Sequence, residues 1–257
     1  MRWGSFVAVG DSFSEGLDDP YPAGAGTGFR GWADLVAAAL AGRRAGFGYA
    51  NLAIRGRLFQ RVVAEQVPAA LAMGADLVSF AAGGNDILRR QFAPEALTAQ
   101  LDATVGKLRA TGADVLLFRF ADVTARLPGW RLIGPRAQLL NRAVAETAER
   151  NGAVLVDVAA DREFDNPALW SIDRLHLSAV GHRRVAAHVL AALGVDPDPA
   201  WWQLPPSPPV RPWPAARAAD LAWAGRHLAP WVRRRLTGRS SGDLVTAKRP
   251  QLGPLLP

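Results

Sequence analysis

From residue 5 to residue 193 the chain alternates short apolar runs with longer segments rich in Ala and Leu, and this alternation constrains its fold more than any other feature. The runs at 5–9, 47–53, 77–82, 115–120 and 154–158 are too short for helices and nearly continuous in apolar side chains. That is the pattern of central strands covered on both faces, whereas a half-exposed strand alternates. The stretches 32–40, 60–73, 94–110 and 135–151, with a last one at 178–193, read as helices. Gly112 and Gly152 sit where a left-handed residue ends a helix, and Pro94 and Pro135 where a helix begins without the missing N–H. The repetition predicts an α/β domain of three layers, a parallel sheet between two layers of helices. This domain is expected to span residues 1–195, with 196–257 as an extension of different composition.

An open parallel sheet binds its ligands beyond the carboxyl ends of its strands. The first run is followed by Gly10-Asp11-Ser12-Phe13-Ser14, the second by Ile54-Arg55-Gly56 and the third by Gly83-Gly84-Asn85-Asp86. After the fifth run, and a loop containing Trp170, comes Asp173-Arg174-Leu175-His176. A serine hydroxyl attacks a carbonyl near neutral pH only when a base takes its proton and a third group holds that base in one tautomer. Ser12, His176 and Asp173 have the chemistry for those roles, and their spacing lets the carboxylate reach Nδ1 while Nε2 faces the serine. The N–H groups of Ser12 and Gly56 and the side-chain amide of Asn85 are candidates for an oxyanion hole. Singly, each has a plainer reading: Ser12 as a cap, Gly56 as a turn, Asn85-Asp86 as a loop, Asp173 and His176 as organisers of the next helix start. Their occurrence in order at successive strand ends favours the chemical reading.

With these four blocks the chain resembles the GDSL-type esterase/lipase family, the SGNH hydrolases, across residues 5–193. The resemblance implies a flavodoxin-like α/β/α sandwich and a serine hydrolase of carboxylic esters that needs no cofactor and no metal. It makes Ser12 both nucleophile and oxyanion donor, completes the hole with Gly56 and Asn85, and assigns His176 as base with Asp173 as its partner. Phe13 stands where Leu is common in the family and is expected to pack inward. Asp11, Arg55 and Trp170 are candidates for substrate contact, Arg55 and Arg57 placing positive charge beside the oxyanion glycine. Arg119 reads as a rim residue, ion-paired or touching substrate. Short acyl or acetyl esters are favoured because no long apolar lid interrupts the domain, while lipid and thioester substrates stay open. The alternative is a non-catalytic α/β scaffold that binds an anionic partner through its basic extension.

Composition narrows the chemistry. Without cysteine there is no thiolate nucleophile, no disulfide and no Cys-based metal site. His182 and His188 lack companions for a metal set, and no glycine-rich phosphate-binding motif is present. No stretch reaches the roughly 18 apolar residues of a membrane span, and the start has no apolar run of signal-peptide length, so a soluble, cytoplasmic protein is expected. The net charge of +7 belongs to the extension, which carries 9 Lys and Arg against 2 Asp in residues 201–257, with 10 of the 19 Pro and 5 of the 9 Trp. Residues 197–214 are expected to run extended, and 215–236 to form helix broken near Pro230, with Leu221, Ala224, Leu228 and Trp231 on one side. The extension is expected to strap onto the body and to become flexible from Arg239 onward. Arg233, Arg234 and Arg235 are candidates for contact with an anionic surface, with no specific nucleic acid expected.

Overall fold

The structure, a computed structural model, describes residues 2–24, 27–123, 127, 130–206, 212–237 and 239–255. The strands are β1 (Ser5–Gly10), β2 (Gly48–Asn51), β3 (Leu77–Ala81), β4 (Asp114–Arg119), β5 (Val154–Asp157) and β6 (Arg249–Pro254). The helices are α1 (Ser12–Glu15), α2 (Gly31–Ala41), α3 (Phe59–Arg61), α4 (Val67–Met73), α5 (Pro94–Arg109), α6 (Trp130–Asn151), α7 (Ala179–Ala192), α8 (Trp213–Trp223) and α9 (Ala229–Leu236). The sheet order is β5-β4-β3-β1-β2-β6, and β1 to β5 are parallel.

Alternation along β1 builds both cores. Phe6 and Ala8 face α2 and α7, packing with Trp32, Tyr49 and Phe118. Val7 and Val9 face α4, α5 and α6, packing with Phe59, Phe80 and Leu101. Each fully buried side chain of this size contributes about 1.5–3 kcal/mol, so this sandwich holds the strand ends in fixed relative positions.

Four expectations change. The sheet is mixed, because β6 pairs antiparallel with β2, Gly48 opposite Pro254 and Tyr49 opposite Gly253. Residues 249–254, expected to belong to a flexible end, therefore form an edge strand; Pro250 and Pro254 fit there because one side of the ladder has no partner. The helix expected over 60–73 opens into a wider π turn at Val62–Gln66 before α4, relieving the clash Pro68 would make with the carbonyl four residues back. Finally, α6 starts before Pro135, and the carbonyl deprived of its donor belongs to exposed Arg131, where water can substitute.

The extension lies on the body. Arg184 donates to the carbonyl of Trp202 (2.8 Å), and Lys248 Nζ meets Asp34 (2.8 Å) and the Phe29 carbonyl (3.0 Å). Asp34 also accepts the hydroxyl of Tyr49 at 2.6 Å. A second π turn, Ala224–Leu228, precedes Pro230 in α9, where a break is expected. Arg233 is exposed; the side chains of Arg234 and Arg235, and residues 207–211 of the proline-rich stretch, lie outside the described residues. Among the described residues no helix is long and apolar enough to cross a membrane.

Candidate active site

The end of β1 is pinned before the chain turns. A Cβ on Gly10 would lie 2.4 Å from the Ala81 carbonyl oxygen, so only glycine fits between β1 and β3 here. The Gly10 N–H donates to Gln66 Oε1 (2.8 Å), and Gln66 Nε2 donates back to the Gly10 carbonyl (2.9 Å). Asp11 then caps α1 by accepting the Phe13 N–H at 3.1 Å, which leaves Ser12 as the first residue of the helical turn. Phe13 points inward, its ring centroid 5.2–5.5 Å from those of Trp32, Phe118 and Phe120. The nucleophile candidate therefore sits on a turn fixed from both sides.

Residues 170–177 form a tight excursion before α7. Trp170 and Leu177 make an antiparallel bridge, the Ser171 N–H donates to the His176 carbonyl (2.8 Å), and the Arg174 N–H to the Ser171 carbonyl (3.0 Å). Arg174 takes φ 64°, a left-handed conformation that costs a residue with a Cβ about 1–2 kcal/mol. That turn lets Asp173 Oδ1 accept two backbone N–H groups, from Leu175 (3.0 Å) and His176 (2.9 Å). Ser178 then caps α7 by accepting the Gly181 N–H.

The two segments meet. His176 Nε2 lies 3.0 Å from Ser12 Oγ, and His176 Nδ1 lies 2.5 Å from Asp173 Oδ2. A carboxylate accepts only, so the partners assign a proton to Nδ1 and leave Nε2 to accept from the serine hydroxyl. Burial disfavours both charged forms, but each offsets that for the other. The Asp173 carboxyl is held down to about 2 by the His176 ring and the two backbone amides, and His176 is raised above its ordinary value chiefly by Asp173. Asp18 adds a second carboxylate, with ligand atoms of Asp18, Asp173 and His176 all within 4.8 Å of one another. A cation there would compete for ring nitrogens already engaged with Ser12 and Asp173.

The oxyanion candidates are less uniform. Asn85 Nδ2 donates to Asp11 Oδ2 (3.0 Å) and to the Arg57 carbonyl (3.1 Å), so both amide hydrogens have acceptors within the site. Burial pushes the Asp11 carboxyl up to about 6. Gly56 takes φ 71°, and its carbonyl accepts from Ser240 Oγ (3.2 Å) in the extension. Gly56 borders the site through the Asn85 to Arg57 bond rather than by lining its cavity.

A cavity of about 320 Å³ opens beside Ser12 and His176. Its apolar wall includes Leu17, Ile87, Phe120, Leu140, Trp170 and Val185. Trp170 is both wall and core: it is 8% exposed and its Nε1 donates to the Phe164 carbonyl at 2.7 Å. Asp11 also lines the cavity, as does Arg119, which is ion-paired with Asp157 at 2.7 Å. Arg55 does not. Its guanidinium is paired with Glu15 and lies 5.0 Å from the Phe29 ring centroid, so it braces the Gly56 loop against α1. His182, which also borders the cavity, accepts from the Trp32 N–H and donates to the Leu17 carbonyl (3.0 Å); burial lowers it to about 4, keeping it neutral at neutral pH. His188 pairs with Asp161.

Gln66, Glu15, Asp18 and Arg174 carry parts of the site that sequence reasoning does not single out. Glu15 alone had a visible signal, an acid within the Gly-Asp-Ser block; Gln66 depends on the π turn, and nothing in the sequence marks an arginine as left-handed.

A model of the GDSL-like Lipase/Acylhydrolase family matches residues 8–184. Among solved structures, the chain is similar to LAE5, an alpha/beta hydrolase enzyme from the metagenome of Lake Arreo, Spain, with 25% identity over 74% of this chain and 95% of that one and a TM-score of 0.61. It is similar to TesA with 28% identity over 74% and 97% of the two chains, TM-score 0.57. Axe2, an acetylxylan esterase from Geobacillus stearothermophilus, shares the fold at 20% identity over 80% and 100%, TM-score 0.62. No curated protein sequence matches significantly.

Proposed function

The chain belongs to the GDSL-like Lipase/Acylhydrolase family, within the SGNH hydrolase superfamily, and is a hydrolase of the esterase/lipase type; from that premise we propose that it cleaves carboxylic esters of short acyl groups through an acyl-enzyme on Ser12. The observation that carries this reading is the unbroken hydrogen-bonded chain from Ser12 Oγ through His176 to Asp173 at the mouth of an apolar cavity. His176 Nε2 takes the hydroxyl proton as Oγ bonds to the ester carbonyl carbon, and Asp173 stabilises the imidazolium that forms. The carbonyl electrons move onto oxygen. Ser12 N–H, which as the first of α1 has no acceptor within its own helix, and Asn85 Nδ2 stabilise that oxyanion, Asn85 turning one hydrogen away from Asp11. Gly56, at the border of the site on the loop that Arg55 and Glu15 hold, is the candidate for a third donor once a substrate carbonyl is seated. His176 returns its proton to the leaving alcohol oxygen as the C–O bond breaks, and water repeats the cycle to release the acid.

The cavity favours an acyl group with a short hydrocarbon part, since its walls are largely apolar and its volume lies near the lower end for ligand sites. Intact-mass analysis after treatment with a small fluorophosphonate is expected to show a single adduct on wild type and none on Ser12→Ala. Turnover of p-nitrophenyl esters is expected to be greatest for acetate to hexanoate. A folded wild type that takes no adduct sinks the proposed mechanism, and a maximum at long chains sinks the short-acyl assignment.

A further inference from the structure

The turn that carries Asp173 and His176 is held from outside the catalytic body. Arg174, left-handed and between the two, directs its guanidinium into the extension: Nη2 donates to Asp220 of α8 at 2.8 Å, and Cζ lies 4.7 Å from the Trp223 ring centroid. Asp220 Oδ2 is engaged by Arg217 at 2.8 Å, so the carboxylate is bracketed by two guanidiniums and held below its ordinary value, first by its hydrogen bond to Arg174. The side chains of Arg174 and Asp220 are 35% and 34% exposed, close to the surface but packed on each other.

The helix they meet is anchored on both sides along the chain. Before α8, the Trp202 carbonyl accepts from Arg184; after it, Lys248 reaches Asp34 and β6 joins β2. The same extension touches the opposite side of the site. Ser240 Oγ donates to the Gly56 carbonyl, and Gly242 sits so near Arg55 that a Cβ there would lie 2.0 Å from the Arg55 carbonyl oxygen. Both loops that bear candidate site residues away from β1 and β3 thus rest on residues 213–242.

We propose that the C-terminal extension is a working part of the active site, with Arg174 as the positioning residue through which Asp220 and Trp223 hold the left-handed Asp173 to His176 turn in register with Ser12. The proposal rests on the triad reading given above. A bidentate-capable, planar guanidinium suits this task, because the ion pair and the ring contact together fix both its direction and its distance. Loosening it leaves the backbone turn free to drift, and displacements of about 1 Å at a reacting group cost as much as a hundredfold in rate.

The test uses the full chain with Arg174→Gly, Asp220→Asn and Trp223→Leu. Glycine adopts the left-handed conformation without strain, so Arg174→Gly removes the clamp while leaving the turn foldable. With p-nitrophenyl butyrate, kcat is expected to fall roughly ten- to a hundredfold in Arg174→Gly and less in the two α8 variants, with KM within about twofold. Arg174→Lys, which keeps the charge but not the planar fork, is expected to recover part of the loss. The acid limb of kcat/KM is expected to move to lower pH in the clamp variants. His176 faces Asp173, Asp18, Asp11 and His182, and of these the contact that weakens is the one to Asp173, which raises the histidine. Variants with wild-type kcat and an unmoved acid limb, or with only a lower melting temperature, overturn the proposal while wild-type labelling at Ser12 still upholds the triad. Failure of wild type to label overturns both.

Discussion

Replacing Asp173 by Asn isolates the electrostatic part of the proposed mechanism. The amide is nearly the same size but has one acceptor oxygen for the two sides that Asp173 serves, the Leu175 and His176 N–H groups and His176 Nδ1, so the change removes the charge and one accepting oxygen while keeping the shape. The carboxyl moves from an ordinary 3.8 to about 2 because favourable interactions with the His176 ring and two backbone amides outweigh its burial. At 1.36 kcal/mol for each tenfold change in acidity, that is about 2 kcal/mol favouring the charged form. An imidazolium develops on His176 as Ser12 attacks, so most of this free energy bears on the transition state. Asp173→Asn is therefore expected to lower kcat at least thirtyfold, with a further loss if the amide turns its NH₂ toward Nδ1 and selects the wrong tautomer. Its side chain is 22% exposed, so solvent screens part of this interaction. Steady-state hydrolysis of p-nitrophenyl butyrate from pH 5 to 9 measures the effect. The variant's acid limb is expected at lower pH, because the neighbour that raises His176 has lost its charge. A kcat within threefold of wild type, with an unmoved acid limb, would refute the assignment of Asp173 as the histidine's partner.

Two further outcomes follow from buried groups. Lys248→Met leaves Asp34 without its cation, though Tyr49 still donates to it; the loss is expected to be about 3 kcal/mol and to lower the melting temperature by roughly 6–12 °C, whereas a shift under 2 °C would mean the extension is not anchored through this pair. His182 is buried neutral with its acidity at about 4 against 6.5 for the free group, so the unfolded chain binds the extra proton between those values. Its share of stability is complete above pH 6.5 and is lost as pH falls toward 4, by about 3 kcal/mol; urea unfolding of wild type against His182→Gln should show that difference narrowing over this window, and parallel curves would contradict it.

The parts of the molecule that can be read from the chain are those where one residue type is demanded locally. Apolar runs of strand length announce β1 to β5, and the residues after them announce the crevice, because a parallel sheet has its polar openings only at strand ends. Asp173 and His176 are legible for the same reason, through a fixed short spacing. What escapes is decided by distant partners. β6 contains two prolines and little apolar character, and it is a strand only because the free edge of β2 accepts it. Arg55 looks available for a substrate, yet Glu15, forty positions earlier, takes its guanidinium. Arg174 carries no sequence signal of its own, and its guanidinium partner lies in a helix from a segment of different composition.

The pairing of β6 with β2 also sets an order of events during synthesis. Asn51 and Arg249 are partners across the sheet, so the outer edge of β2 is covered only once a segment about two hundred residues further along the chain has been made. Pairings of such separation form late, because a long loop must be closed before any contact rewards it. Until then the nascent protein presents an unpaired strand edge and a buried-site aspartate, Asp34, without its lysine. β6 thus replaces the exposed edge of β2 with one that carries Pro250 and Pro254, whose missing N–H groups make it a poor template for pairing with another copy.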